Sequence, residues 1–172
     1  MSGLVVWFTG LPSSGKSTLA RETLRRLRAA GESSCLLDGD EVRACLHPPP
    51  GYGPESRTKF YTTLASLAAL LSRQSLVVLV AATAHRRADR ESARRLADDR
   101  WIEVFIDTPL AICEQRDAKG LYGQARAGEI QHFPGVHEAY EPPGDDAWQV
   151  SSGDFASEAQ RLAREIRSRR SQ

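Results

Sequence analysis

Short apolar runs, separated by longer amphipathic segments, form the main pattern of this 172-residue chain. The runs lie at residues 3–9, 34–37, 76–81, 101–106 and 148–151. The first and third are apolar at nearly every position, which is typical of strands buried on both faces of a parallel sheet. We therefore predict five strands that belong to one parallel sheet.

The segments between these runs carry apolar residues at helical spacing. Gly31 follows the first such segment, and the run that begins at Pro48 stops the second. Regular alternation of strands and helices predicts an α/β fold, a three-layer sandwich with helices on both faces of the sheet. The predicted helices span residues 17–30, 41–46, 55–73, 87–98, 109–116 and 155–169.

Residues 117–146 interrupt this alternation with a long segment rich in glycine and proline. Such a segment within a compact domain is more often a lid or a binding loop than a passive connector. No internal repeat and no shift of composition divides the chain. We predict one domain over residues 1–172, with residues 117–146 as its lid segment.

Composition and charge exclude several classes of protein. The chain is 41% apolar and 26% charged, with a net charge of +1, which gives no reason to expect a nucleic acid or a membrane as partner. The apolar run that ends at Phe8 is far too short to span a membrane. Three cysteines without C-x-x-C spacing favour reduced thiols, and we expect a cytoplasmic protein.

A complete phosphate-binding motif follows the first strand. Residues 10–17 satisfy G-x-x-x-x-G-K-[ST] at every fixed position, a match that arises by chance in roughly one chain of this length in a few hundred. Lys16 would neutralise the β/γ-phosphate oxygens, and the Ser17 hydroxyl would ligate Mg²⁺. The motif therefore predicts a P-loop NTPase-type fold. The residues expected to bind ATP and Mg²⁺ are Gly10, Pro12, Ser13, Ser14, Gly15, Lys16, Ser17 and Thr18.

Two aspartates end the second predicted strand. Asp38 and Asp40 flank a glycine at the carboxyl end of that strand, where open α/β sheets bind ligands. One carboxylate can hold hydrated Mg²⁺, and the other can accept the proton of an acceptor hydroxyl. The alternative is a turn in which Asp40 caps the next helix. Beside a phosphate loop we favour function: Asp38 with Ser17 at the metal, and Asp40 as catalytic base.

Two arginines and a tyrosine follow these aspartates. Arg43 lies about one helical turn beyond Asp40, and Arg57 follows a loop of prolines and glycines. A guanidinium group is suited to bidentate capture of phosphate or sulfate oxygens. Taken alone, either arginine could equally be a solvated surface group. Tyr52 could stack on a base or simply anchor its loop.

The sequence resembles the adenylylsulfate (APS) kinase family from Trp7 to about Pro143. The resemblance rests on Asp-Gly-Asp-Glu-Val-Arg at residues 38–43, on the segments 51–57 and 125–130, and above all on residues 107–122 of the lid region. It implies an enzyme that transfers the γ-phosphate of ATP, with Mg²⁺, to the 3′-hydroxyl of adenosine 5′-phosphosulfate. The product would be the activated sulfate donor PAPS of sulfate assimilation.

The resemblance also implies roles for residues on the acceptor side. Asp40 matches the residue that contacts the acceptor hydroxyl and acts as base, and Asp38 in the same motif is a further expected substrate contact. Arg43 and Arg57 match the pair that holds the phosphosulfate. Two aromatic residues match those that enclose the acceptor's adenine, with tyrosine in place of the usual phenylalanine at the first: Tyr52 and Phe133.

The lid carries two further matches. Lys119 resembles a lysine near the transferring phosphates, which makes Asp40, Lys16 and Lys119 the expected catalytic residues. Arg116 resembles an arginine that packs on the ATP base. Members of the family often form dimers, so the resemblance allows a homodimer.

Departures from the family cluster on the acceptor side. Phe60 stands where the family has a sulfate-contacting asparagine, and Thr83-Ala-His-Arg-Arg87 replaces a segment like I-S-P-[FY]-R. Ala84 takes the place of a serine that some members phosphorylate. Loss of the amide should weaken recognition of an oxyanion by about 1–3 kcal/mol, while His85 and Arg86 can supply other donors. Thr83, Ala84 and Phe60 are therefore expected substrate contacts.

Three functions remain open on these residues. The first is APS kinase activity with a repacked acceptor site. The second is a diverged kinase for a sugar, an aminoglycoside-like metabolite or another nucleotide. The third is a non-catalytic nucleotide-binding module, which retention of Lys16, Ser17, Asp38 and Asp40 argues against.

Overall fold

The five apolar runs form one parallel sheet in the computed structural model, which describes residues 3–98, 100–151 and 153–171. The order across the sheet is β2-β3-β1-β4-β5, and every pairing is parallel. The prediction of a five-stranded parallel sheet is confirmed. The strands are β1 Leu4–Thr9, β2 Ser34–Asp38, β3 Val77–Ala81, β4 Trp101–Asp107 and β5 Trp148–Ser151.

The predicted helices are also present, with ends that differ by a residue or two. One further short helix, α6, lies within the lid segment, where the sequence predicted no regular structure. Pro54 begins α3, as its fixed φ favours at the first turn of a helix. The helices are α1 Lys16–Ala29, α2 Gly39–Cys45, α3 Pro54–Ser72, α4 Arg87–Leu96, α5 Leu110–Gln115, α6 Leu121–Arg126 and α7 Phe155–Arg170.

Alternation along β1 builds a core on each face of the sheet. Leu4, Val6 and Phe8 pack towards α1 and α7, whereas Val5 and Trp7 pack towards α3 and α4. All of these side chains are buried, which explains why the strand is apolar at every position. The predicted three-layer α/β sandwich is confirmed.

The candidate functional residues gather at the carboxyl ends of the strands. The phosphate loop follows β1, Asp38 ends β2, and the segment that begins at Thr83 follows β3. Parallel strands bring these ends to one edge, where open α/β sheets bind ligands. In the described ranges no helix is both long enough and apolar enough to cross a membrane.

Candidate active site

The phosphate loop has a backbone that requires its two motif glycines. Gly10 and Gly15 have φ of 148° and 105°, and Ser13 also lies at positive φ, 61°. A Cβ atom on Gly10 would lie 2.6 Å from the carbonyl oxygen of Ile106, and one on Gly15 would lie 2.5 Å from the Phe155 ring. Both glycines are therefore fixed by backbone conformation and by close packing.

Lys16 folds back over this loop. Its ammonium donates hydrogen bonds to the carbonyl oxygens of Gly10, at 3.1 Å, and Leu11, at 2.7 Å. Burial lowers the pKa of Lys16 to about 8, although the nearby carboxylates of Asp40 and Asp38 act in the opposite direction. No carboxylate of the described residues forms an ion pair with Lys16, so its charge is available to an anion in the loop.

Asp38 links the phosphate loop to the acceptor side. Ser17 Oγ donates to Asp38 Oδ2 at 2.5 Å, and the backbone N–H of Asp40 donates to Asp38 Oδ1 at 3.1 Å. Asp38, and not Asp40, is thus the N-cap of α2, because Asp38 keeps an extended backbone with φ −77° and ψ 125°. The alternative in which Asp40 caps the helix is wrong. Asp40 lies in the first turn of α2 with an exposed side chain.

The lid reaches Asp40 through Lys119. Lys119 Nζ donates to Asp40 Oδ2 at 2.9 Å, and this hydrogen bond raises the pKa of Lys119. The carboxylate also acts electrostatically on Lys16. The structure therefore pairs Lys119 of the lid segment with Asp40 of α2, within electrostatic range of Lys16 in the phosphate loop.

The rest of the lid packs on the phosphate loop. Tyr122 Oη donates to the carbonyl oxygen of Pro12 at 2.8 Å, and its ring meets the edge of Phe133 with centroids 4.9 Å apart. Phe133 is 6% exposed and belongs to a small apolar cluster with Tyr122, Ala125 and Cys113. Arg116, at the end of α5, is exposed.

Arg43 is held in an aromatic cage. Its Cζ atom lies 4.4 Å from the centroid of Tyr52 and 4.0 Å from that of Phe60, and Nη1 donates to the carbonyl oxygen of Pro50 at 2.8 Å. Arg57 lies near the same tyrosine, with Cζ 5.9 Å from its centroid. Both arginines are buried, at 8% and 6% exposure, so neither is a solvated surface group. Among the described residues no carboxylate forms an ion pair with either guanidinium group, so an anionic ligand would stabilise both charges.

The segment after β3 forms the third wall of the site. The carbonyl oxygen of Thr83 accepts a hydrogen bond from Thr9 Oγ1 at 2.7 Å. Ala84 is fully buried and lies at φ 38°, a left-handed conformation that is uncommon for alanine. His85 is also buried, and its carbonyl oxygen accepts from the N–H of Glu141 at 2.9 Å.

Arg90, which the sequence did not single out, holds this wall in place. Its guanidinium donates to Glu103 Oε1 and to the carbonyl oxygens of Ala84 and Glu141, each at 2.6 Å. Arg90 is 1% exposed and its Cζ lies 5.4 Å from the Tyr140 ring. The sequence indicates only a charged helix here, with Arg87-Ala-Asp-Arg90 in agreement with the family that the chain resembles, and neither feature shows that Arg90 is buried.

This geometry suits phosphoryl transfer between two small molecules. The phosphate loop and Lys16 lie on one side of the site. The carboxylate of Asp40 and the buried guanidinium groups of Arg43 and Arg57 lie on the other. The lid spans both. Such transfer is catalysed mainly by positioning and by charge around the phosphoryl group, which these residues supply.

Comparison with known proteins gives one consistent answer. Residues 2–151 match the family model described as Adenylylsulphate kinase. The adenylyl-sulfate kinase of Paraburkholderia xenovorans is 44% identical over 141 residues, which are 82% of this chain and 79% of that protein. That of Klebsiella pneumoniae (strain 342) is 49% identical over 142 residues, which are 82% of this chain and 71% of that protein.

A solved structure is also similar over nearly its full length. The Mycobacterium tuberculosis APS kinase in complex with AMPPNP and APS superposes with a TM-score of 0.91 at 38% identity. The similarity covers 96% of this chain and 98% of the mycobacterial one.

Proposed function

The chain belongs to the adenylylsulfate kinase family, and we propose that it transfers the γ-phosphoryl group of ATP to the 3′-hydroxyl of APS, giving PAPS and ADP. The observation that carries this function is the contact between Lys119 of the lid and Asp40, whose carboxylate also acts electrostatically on Lys16 of the phosphate loop. That arrangement places a proton acceptor for an alcohol beside the cations that stabilise a transferring phosphoryl group.

On the nucleotide side, backbone N–H groups of the loop between Gly10 and Thr18 enclose the phosphates. The N-terminus of α1 adds a positive electrostatic potential that attracts them. Lys16 gives up its bonds to loop carbonyls and turns to the β/γ-oxygens. Arg116, exposed at the end of α5, packs on the ATP base.

Ser17 and Asp38 fit a bound Mg²⁺. Hydroxyl and carboxylate oxygens are the ligands that this ion prefers, and the two side chains already lie 2.5 Å apart. Among the described residues, no group of three or more His, Cys, Asp or Glu side chains could hold a metal by itself. The ion would therefore be shared with the nucleotide phosphates, where it neutralises their charge.

On the acceptor side, Arg43 and Arg57 hold the phosphosulfate, and burial strengthens their attraction for it. Tyr52 and Phe133 enclose the adenine. For Phe133 this requires one ring face to remain free, since its contact with Tyr122 is edge-on. Phe60, Thr83 and Ala84 line the remaining wall.

In the reaction, Asp40 accepts the proton of the 3′-hydroxyl as the oxygen attacks the γ-phosphorus and the bond to the ADP oxygen breaks. Asp40 is paired with Lys119 in the structure, so ATP must draw Lys119 to its phosphates before the carboxylate can act as base. Lid closure thus couples nucleotide binding to activation of the acceptor. Ala84 carries no hydroxyl, so no phosphoserine forms at that position.

A kinase for another hydroxyl compound is the second candidate, because Phe60 and His85 replace family residues at the acceptor site. ATP consumption should rise with micromolar APS. Stimulation by sugars or aminoglycosides, without a response to APS, would support the second candidate. Asp40→Ala should lose transfer but keep nucleotide binding; unchanged turnover in that variant would indicate a binding module.

Two further expectations accompany this function. We expect the enzyme to act in the cytoplasm, where reduced cysteines are normal, and Cys35, Cys45 and Cys113 are all free. A homodimer agrees with the family, and sedimentation analysis at micromolar concentration tests it.

A further inference from the structure

We propose that His85 determines specificity at the acceptor site, as a neutral hydrogen-bond donor to an oxyanion of the acceptor beside Arg57. This inference rests on the proposed function. It assigns to a residue of this chain the contact that the family obtains from an asparagine, at the position of Phe60.

The first observation is a set of buried polar atoms without partners. Both ring nitrogens of His85 and Nη1 of Arg57 are buried and form no hydrogen bond with any residue that the structure describes. His85 is 3% exposed and Arg57 is 6% exposed. A buried polar group without a partner destabilises the folded protein, so a cluster of such groups normally has a ligand that satisfies it.

The second observation is that these groups lie within electrostatic range of one another. The Arg57 guanidinium acts electrostatically on His85, and Glu138 acts on both. Glu138 Oε2 lies 3.9 Å from His85 Nε2, too far for a hydrogen bond. The unpaired nitrogen atoms of His85 and Arg57 are therefore not satisfied by each other or by Glu138.

The charge state of His85 suits a donor to an anion bound by arginine. Burial, together with the cations Arg57 and Arg86, lowers the pKa of His85 to about 4, and the opposing carboxylates Glu138 and Glu141 do not reverse this. A neutral imidazole carries one N–H donor and one acceptor nitrogen at neutral pH. It thus replaces a neutral amide donor without adding a third charge to the site.

The backbone fixes where the imidazole lies. Ala84 has a left-handed conformation at φ 38°, and its carbonyl oxygen is held by Arg90 at 2.6 Å. The carbonyl oxygen of His85 accepts from Glu141 N at 2.9 Å. The main chain is therefore held on both sides of the His85 Cα, which fixes the position from which the imidazole extends.

Phe60 explains why the hydrogen-bond donor comes from a different segment of this chain. Its ring lies against Arg43, with 4.0 Å between the ring centroid and Cζ, and it has no hydrogen-bonding atom. The family's amide at this position would have offered a donor from α3. In this chain α3 supplies an aromatic surface, and the donor comes from the segment after β3.

The test compares steady-state kinetics of wild type, His85→Ala and His85→Gln, with APS and ATP varied separately. Loss of a hydrogen bond to a charged group predicts that His85→Ala lowers kcat/KM for APS about 10- to 100-fold, with KM for ATP unchanged. His85→Gln, which keeps an N–H donor, should recover part of that loss. His47→Ala, at an exposed histidine, is the matched control and should behave as wild type.

Inhibition by adenosine 5′-phosphate identifies which oxyanion is bound. If His85→Ala weakens APS but not adenosine 5′-phosphate, the contact is to the sulfuryl group; if both weaken, it is to the phosphoryl group. Equal kcat/KM for APS in wild type and His85→Ala would overturn the inference, as would equal losses for APS and ATP. Thermal melting of each variant separates loss of folding from loss of contact, and His85→Gln remains informative if His85→Ala does not fold.

The two proposals fail in different ways. If wild-type protein does not phosphorylate APS, the proposed function itself is wrong. If wild type phosphorylates APS and the His85 variants match it, only the role of His85 is wrong.

Discussion

Binding of a nucleotide should be accompanied by uptake of a proton at Lys16. In the free protein, burial lowers the pKa of this ammonium from 10.5 to about 8, and its hydrogen-bond partners within the described ranges are the carbonyl oxygens of Gly10 and Leu11. A triphosphate in the loop places several negative charges beside it and raises the pKa again. Each Lys16 that is neutral before binding must therefore gain a proton.

The size of the effect follows from this pKa. Uptake should be about 0.1 proton per nucleotide at pH 7, about 0.5 at pH 8 and about 0.9 at pH 9. Affinity should then be about tenfold weaker at pH 9 than at pH 7. Phosphate groups, with a second pKa of about 6, contribute little above pH 8.

Stability of the free protein has a related dependence. Because the folded-state pKa of Lys16 lies below its ordinary value of 10.5, the unfolded state binds more protons between about pH 8 and that value. The contribution of Lys16 to stability is therefore least favourable below pH 8 and improves as the pH rises through this window. Bound nucleotide should remove the dependence.

Calorimetry of a non-hydrolysable ATP analogue, in two buffers that differ in ionisation enthalpy, measures the uptake. Lys16→Arg keeps a cation that does not titrate, so it should bind without uptake at pH 8 and pH 9. Lys119→Ala, with an ammonium on the lid removed, should take up protons as wild type does. Absence of uptake in wild type at pH 9, or its persistence in Lys16→Arg, would refute the reasoning.

Three substitutions test the packing that holds the site. Gly15→Ala should lower the free energy of unfolding by about 1–3 kcal/mol, since φ is 105° and the new Cβ would lie 2.5 Å from Phe155; thermal unfolding measures this. Phe60→Leu should raise KM for APS about 5- to 30-fold in steady-state assays, because Arg43 loses a ring at 4.0 Å. Arg90→Met should cost about 3–5 kcal/mol in urea unfolding, because its ion pair and two carbonyl oxygens lose their partner.

Each substitution has a matched control on the same chain. Gly123→Ala adds a methyl group where nothing lies within 4 Å, and it should not destabilise the protein. Leu64→Val disturbs the same core cluster as Phe60 but leaves Arg43 untouched, so KM for APS should not change. Arg95→Met removes an exposed arginine from α4. If a test variant behaves like its control, the explanation given for that substitution is wrong.

Most of the fold could be predicted because local patterns agree with the tertiary structure. Runs buried on both faces, such as β1 and β3, have no other interpretation once helical segments separate them. Strand order could not be predicted, since it depends on which crossovers pack together. The helix Leu121–Arg126 was missed because Gly120, Gly123 and Gly128 lower helix propensity, while the tertiary packing of Tyr122 and Ala125 compensates for it.

The functional site, like the fold, could be predicted only in part from the sequence. The phosphate loop was predictable because its chemistry depends on backbone conformation, which glycines fix locally. Residues that act through long-range contacts give no such local signal. Arg90, which meets Glu141 across 51 positions, was missed, and Lys119, which meets Asp40 across 79, was expected only through the family resemblance. A charged residue in a charged helix gives no local sign that it will be buried.

The change of asparagine to Phe60 shows why a lost functional group is not the whole effect of a substitution. From the sequence it removes a donor to an oxyanion and should weaken binding. In the structure the new ring lies 4.0 Å from the guanidinium carbon of Arg43 and, with Tyr52, fixes the orientation of that cation. A pre-organised arginine loses less entropy when an anion binds, which offsets part of the missing hydrogen bond. In the proposed acceptor site, Phe60 therefore improves the placement of a charge while His85 supplies the neutral donor, and Phe60→Leu should lower kcat/KM for APS by more than loss of packing alone explains.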